Sequence, residues 1–130
     1  MIAFDSSALA KLVIREQETE PLRAWLAARE DVAWSASSLT RVEVVRAVAR
    51  AQATAVPTAR RLLAGMDLVP LGPDLLEMAA DLGPPSLRSL DAVHLATALG
   101  LGRALDAFVV YDERLARAAT EAELPVVAPS

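Results

Sequence analysis

The sequence predicts an α/β protein, a three-layer α/β/α sandwich around a parallel sheet of roughly five strands. Two features carry that expectation. Short apolar runs alternate with longer stretches of helical periodicity, the pattern of strands joined by crossover helices. The run Ala107-Phe108-Val109-Val110-Tyr111 is apolar almost throughout, as a strand covered by helices on both faces should be. At 130 residues, with hydrophobic residues at 54% and charged residues at 23%, the chain suits one domain spanning 1–130 with one core.

Taken in order, Ile2-Ala3-Phe4 is a short strand that ends in Asp5, and residues 8–13 read as a helix. Thr19-Glu20-Pro21 starts a second helix with Pro in its first turn, followed by Leu22, Trp25 and Leu26 at helical spacing. Residues 32–36 form the second strand. Ser37 and Ser38 are placed to cap a helix over 39–53. Its buried side is expected at Val42, Val45 and Ala49, widened by Val44 and Val48, with Glu43, Arg46 and Arg50 opposite. Pro57 opens the next helix and Gly65 closes it.

Leu68-Val69-Pro70-Leu71 is the third strand, placed outermost because Pro cannot donate to a central ladder. Pro73 begins a helix with Leu75, Met78, Ala79 and Leu82 on one face, and Gly83-Pro84-Pro85 stops it. Residues 87–99 are apolar nearly all round, so this helix is buried, with Leu90, Val93, Ala96 and Leu99 among its core positions and Ser86 or Ser89 as its cap. The fourth strand, 107–111, ends in Asp112. A helix over 113–120 and a short strand at 125–128 complete the chain. The Asp5 strand is expected at the centre of the sheet with the Asp112 strand beside it.

Composition narrows the function classes. The absence of cysteine excludes disulfides and thiolate metal sites. No secretory signal and no apolar window long enough to span a membrane is visible, so a cytoplasmic protein is expected. A formal net charge of −4 argues against loose nucleic-acid binding driven by phosphate neutralisation. Of the 13 basic residues all but Lys11 are arginine, and an arginine rim beside an acidic centre suits phosphates. Aromatic residues, at 4%, are too few for a base-stacking platform.

Four acids stand out: Asp5, Glu43, Asp91 and Asp112. Each has a structural reading. Asp5 and Asp112 suit the caps of the helices after them, Asp91 suits a helix's first turn, and Glu43 suits a pair with Arg46. Together they point elsewhere. Asp5 and Asp112 end strands, and in open parallel sheets ligands bind outside the carboxyl ends of the strands. Carboxylates sharing one cleft repel unless a cation compensates them or their pKa values rise. An all-oxygen set without Cys or a His cluster selects a hard ion such as Mg²⁺ or Mn²⁺.

Phe4-Asp5-Ser6-Ser7-Ala8-Leu9, Ser37-Ser38-Leu39-Thr40-Arg41-Val42-Glu43, Ser89-Leu90-Asp91-Ala92-Val93-His94-Leu95-Ala96-Thr97-Ala98 and Val110-Tyr111-Asp112-Glu113-Arg114-Leu115 occur in that order. They resemble the four motifs of the PIN domain, and specifically of VapC-type toxins of type II toxin–antitoxin systems. The third motif is the most specific match. The resemblance covers essentially the whole chain, with one departure: Val110 stands where the family often has Thr or Ser. It implies a metal-dependent endoribonuclease, with Asp5, Glu43, Asp91 and Asp112 as catalytic metal ligands and Ser7 as a polar group behind them. It also implies a homodimer, a VapB-type antitoxin partner and an RNA substrate cut by a metal-activated water. His94, three residues after Asp91 on an otherwise apolar helix, is expected to be structural or orienting. Arg15, Arg41, Arg46, Arg88 and Arg114 are the candidate phosphate contacts, beside their reading as solvated ion-pair partners.

Two alternatives are weighed. Asp5 ending a first strand also suits an aspartyl-phosphate mechanism. Against it, Ser7 stands where haloacid-dehalogenase-like phosphatases carry a second Asp, and no lysine follows Lys11. A non-catalytic PIN-like binding module is supported by Val110 alone.

Overall fold

The computed structural model describes residues 1–130. Its strands are β1 (Ile2–Phe4), β2 (Trp34–Ser37), β3 (Asp67–Val69), β4 (Ala107–Val109) and β5 (Val126–Val127). Its helices are α1 (Ser6–Val13), α2 (Thr19–Ala27), α3 (Thr40–Ala51), α4 (Val56–Ala64), α5 (Pro73–Asp81), α6 (Ser89–Gly100) and α7 (Glu113–Glu121). The sheet order is β3-β2-β1-β4-β5 and every pairing is parallel. β1 is central, β4 is its neighbour and β3 is an edge, as expected from the sequence.

The strand order explains the location of the cleft. From β1 the chain builds outward through β2 to β3, then crosses back to the other side of β1 for β4 and β5. Right-handed crossovers put helices on opposite faces when the direction of addition reverses. The core divides accordingly. Ile2, Phe4, Ala36 and Val109 pack with Leu9, Leu22, Val44, Val48 and Leu63 of α1–α4. Ala3, Phe108 and Val110 pack with Leu95 and Ala98 of α6 and Leu115 and Ala119 of α7. Alternate residues of one strand thus serve opposite layers. A crevice opens where the order reverses, beyond the carboxyl ends of β1 and β4.

Several expectations are corrected. The buried stripe of α3 is Thr40, Val44 and Val48, whereas Val42 is 56% exposed and Ala49 is also exposed. On a helix so rich in valine, several stripes are equally apolar, and packing against α1 and α4 decides which one is covered. Met78 of α5 faces solvent, leaving Leu75, Ala79 and Leu82 turned toward α6. α6 is buried from Ala92 to Ala98, but Leu90 in its first turn, before the buried stretch begins, is half exposed. Neither α3 nor α6 has a side-chain cap; their preceding residues are Leu39 and Arg88. Pro70 lies just beyond β3 rather than in it. No helix is long and apolar enough to cross a membrane.

Candidate active site

Asp5 follows β1 directly. Its amide donates to Val109 O at 3.4 Å, which extends the β1–β4 pairing by one residue and fixes Asp5 against the end of β4. Its carboxylate caps α1 by accepting the Ala8 N–H at 2.9 Å. Ser7 Oγ lies 3.1 and 3.0 Å from the two oxygens and donates to them. Asp112 does the same for α7, accepting the Leu115 N–H at 2.9 Å. The capping reading and the cleft reading therefore hold together: each Asp gives one oxygen to a helix N-terminus and also lines the crevice.

Asp5, Glu43, Asp91 and Asp112 line one cleft of about 360 Å³, together with Ser6, Ser7, Lys11, Arg50, Arg88 and His94. The sequence places all four acids at the same edge of the sheet, and the fold does so. Asp5 is 4% exposed. Burial pushes its pKa above the ordinary carboxylate value and the Asp91 charge adds to this, against hydrogen bonds from Ala8 N–H and Ser7.

Glu43 meets its partners from across the chain. His94 Nε2 lies 2.6 Å from Glu43 Oε1, and Ser6 Oγ donates to the same oxygen at 2.7 Å. Burial would raise the Glu43 pKa, but the hydrogen bonds from His94 and Ser6 outweigh it and hold the carboxyl below its usual value. Nδ1 of His94 is buried and has no partner, so Nε2 is the ring nitrogen that donates to the carboxylate. His94 is thus an orienting residue, as expected. The Glu43–Arg46 pair of the structural reading does not form.

Arg88 joins the other two acids. Its Nε donates to Asp91 Oδ2 at 3.0 Å and its Nη2 to Asp112 Oδ2 at 3.4 Å. The hydrogen bond to Asp91, then the charges of Asp91 and Asp112, raise the guanidinium pKa further. No three acidic or imidazole side chains are set to grip one ion directly. The reason is visible in their partners: Glu43 is turned to His94, and Asp91 and Asp112 are turned to Arg88. The donor set nevertheless fits a hard divalent cation, with clustered carboxylates, no sulfur, and a guanidinium already drawn in as a cation between two of them.

The profile of the PIN domain family matches residues 2–121. The chain belongs to the PIN domain family. Among relatives of this PIN-domain protein, Ribonuclease VapC47 of Mycobacterium tuberculosis (strain CDC 1551 / Oshkosh) is 46% identical over 134 residues, covering 99% of this chain and 97% of the relative. Ribonuclease VapC46 of Mycobacterium tuberculosis (strain ATCC 25618 / H37Rv) is 42% identical over 129 residues, covering 99% and 98%. The PIN fold is shared with Mycobacterium tuberculosis VapC20, described as a sarcin-ricin loop cleaving toxin, at a TM-score of 0.77 and 19% identity over 99% of this chain and 100% of that one. It is also shared with a chain of FitAB bound to a DNA fragment, at a TM-score of 0.72 and 21% identity over 99% and 95%.

Within this PIN domain, the arginines sort by position. Arg88 lines the cleft, and Arg114 lines an adjoining cavity with Arg88, Asp112 and Glu113. Arg15 pairs with Glu20 on the surface, and Arg41 and Arg46 are exposed away from the cleft wall. Arg50, not Arg46, shares the cleft-facing side of α3 with Glu43 and Ala47. Sequence reasoning missed Ser6 and Lys11. Lys11 is 9% exposed, pairs with Glu16 at 3.4 Å and Glu18 at 3.2 Å, and sits 4.9 Å from the Tyr111 ring centroid. The signal for Ser6 is its place directly after Asp5; Lys11 had the signal of being the chain's only lysine on an apolar helix face. Val110 packs in the α6–α7 core and takes no part in the cleft lining.

Proposed function

We propose that this protein is a divalent-metal-dependent endoribonuclease and the toxin half of a toxin–antitoxin pair. The observation that carries the reading is the gathering of Asp5, Glu43, Asp91 and Asp112 in one cleft at the carboxyl ends of β1 and β4. The family and the relatives named ribonucleases support it.

Asp5, Asp91, Glu43 and Asp112 would hold Mg²⁺ or Mn²⁺. When bound, the ion supplies an activated water and charge compensation at the phosphoryl oxygen. Ser7 fixes the Asp5 carboxylate from behind, and His94 with Ser6 fixes that of Glu43. The Asp5 pKa is raised chiefly by burial, with a smaller push from the Asp91 charge, and a cation bound in the cleft would offset both. The acidic chain gives little general affinity for RNA, so selectivity rests on local arginines, with Arg50 and Arg88 at the cleft and Arg114 beside it, and on RNA shape. A homodimer, a VapB-type antitoxin and action in the cytoplasm complete the reading. An antitoxin arginine entering among the acids would suit their charge.

The aspartyl-phosphate alternative finds no support. Lys11 does reach the cleft wall, but Glu16 and Glu18 already neutralise it. The proposal is tested by sequencing RNA ends after brief induction in cells. Few, discrete new 5′-phosphate ends with the wild type and none with Asp5→Asn are expected. An unchanged end profile with soluble wild-type protein would overturn it.

A further inference from the structure

We infer that Arg88 is a built-in counter-ion of this site, which a divalent ion must displace from Asp91 and Asp112 in order to bind. The inference rests on the metal-dependent reading above. The guanidinium spans carboxylates on two elements, Asp91 in the first turn of α6 and Asp112 at the cap of α7, at 3.0 and 3.4 Å. These are the only ion pairs either acid makes. Arg88 therefore stands where a cation is needed, and it holds two otherwise repelling carboxylates toward each other.

Arg88 is also free to leave. Its side chain is 65% exposed, against 17% for Asp91 and 32% for Asp112. Its backbone is extended, one residue before α6, so its side chain is not fixed by helical neighbours. Exposed pairs of this kind are weak, whereas a dipositive ion concentrates twice the charge on the same oxygens. Once displaced, the guanidinium lies at the cleft mouth beside the cavity it shares with Arg114, where an incoming phosphate would meet it. The Arg88 pairs thus keep Asp91 and Asp112 aligned, and metal occupancy acquires a threshold set by one side chain.

The test compares Mn²⁺ affinity by calorimetry in wild type, Arg88→Gln, Arg88→Lys and Arg114→Gln. It also follows the Arg88 Nε–H resonance during a Mg²⁺ titration. Arg88→Gln is expected to bind Mn²⁺ about threefold to fivefold more tightly, the loss of a weak competing pair. Arg88→Lys should fall between it and wild type. Arg114→Gln, which removes a nearby charge but no pair with these acids, should change affinity less. The Arg88 Nε–H signal should move to the position of a solvent-exposed arginine as Mg²⁺ saturates. Unchanged or weaker Mn²⁺ binding in Arg88→Gln would overturn the inference. So would equal tightening in Arg114→Gln, or an Arg88 signal unmoved at saturating Mg²⁺. If only these fail while Asp5→Asn still abolishes Mn²⁺ binding, the metal reading stands without the counter-ion. If wild type binds no Mn²⁺, both fall.

Discussion

Replacing Asp5 with Asn separates charge from structure at the centre of the cleft. The amide keeps an oxygen to accept the Ala8 N–H that caps α1 and the Ser7 hydroxyl, but it carries no charge. Burial, with the Asp91 charge added, raises the Asp5 pKa in the fold. A raised carboxyl pKa favours the fold below the ordinary carboxylate range, and that contribution is lost as pH rises through the folded-state value. Without divalent ions, Asp5→Asn should therefore melt above wild type at neutral pH, with the gap closing toward acid. Asp5→Ala also removes the cap, worth about 1 kcal/mol, so it should melt roughly 3–5 °C below Asn in a domain of this size. With Mg²⁺ at a hundredfold excess over its Kd, wild type should gain ~2.7 kcal/mol, or roughly 10 °C, and Asp5→Asn almost nothing. Differential scanning fluorimetry across pH, with and without Mg²⁺, reads all of this. If metal-free Asp5→Asn melts several degrees below wild type at every pH, the Asp5 charge is structural and the reasoning fails.

Other outcomes follow from the same structure. Leu9→Ala, at a fully buried position, should cost about 2–5 kcal/mol by chemical denaturation, whereas Leu90→Ala, half exposed, should stay within about 0.5 kcal/mol. His94→Ala should destabilise by roughly 1–3 kcal/mol by removing a buried donor from Glu43, and a stability unchanged within error would count against the orienting role. Tyr111 has its pKa pushed up to about 12, first by burial and then by the charges of Glu18 and Asp5. Its contribution to stability is present below its ordinary pKa of 10.0 and lost as pH rises through about 12, so Tyr111→Phe should flatten the alkaline limb of the stability profile.

The sequence carried the place of β1 and β4 in the sheet and of the acids that follow them, because strand ends are written locally. An apolar run ending in Asp, followed by a helical pattern, says that the Asp sits at a strand's carboxyl end, and the parallel order then brings Asp5 and Asp112 together. What it did not carry were choices made by packing. Four valines on α3 offered overlapping faces, and packing against α1 and α4 chose Val44 and Val48 and turned Glu43 with Arg50 toward the cleft. The Ser6–Glu43–His94 cluster joins residues 37 and 51 positions apart, with no local pattern to announce it. Arg88 was one arginine among several candidates until its two carboxylate partners fixed its place.

Cleavage of a structured RNA by the purified protein tests the central claim most directly, with the new ends identified chemically. The account predicts cuts at few sites in Mg²⁺ or Mn²⁺, leaving 5′-phosphate and 3′-hydroxyl ends. Cleavage should disappear in EDTA and in both Asp5→Ala and Asp91→Ala. Cleavage that persists in EDTA, or that survives both substitutions, would contradict it.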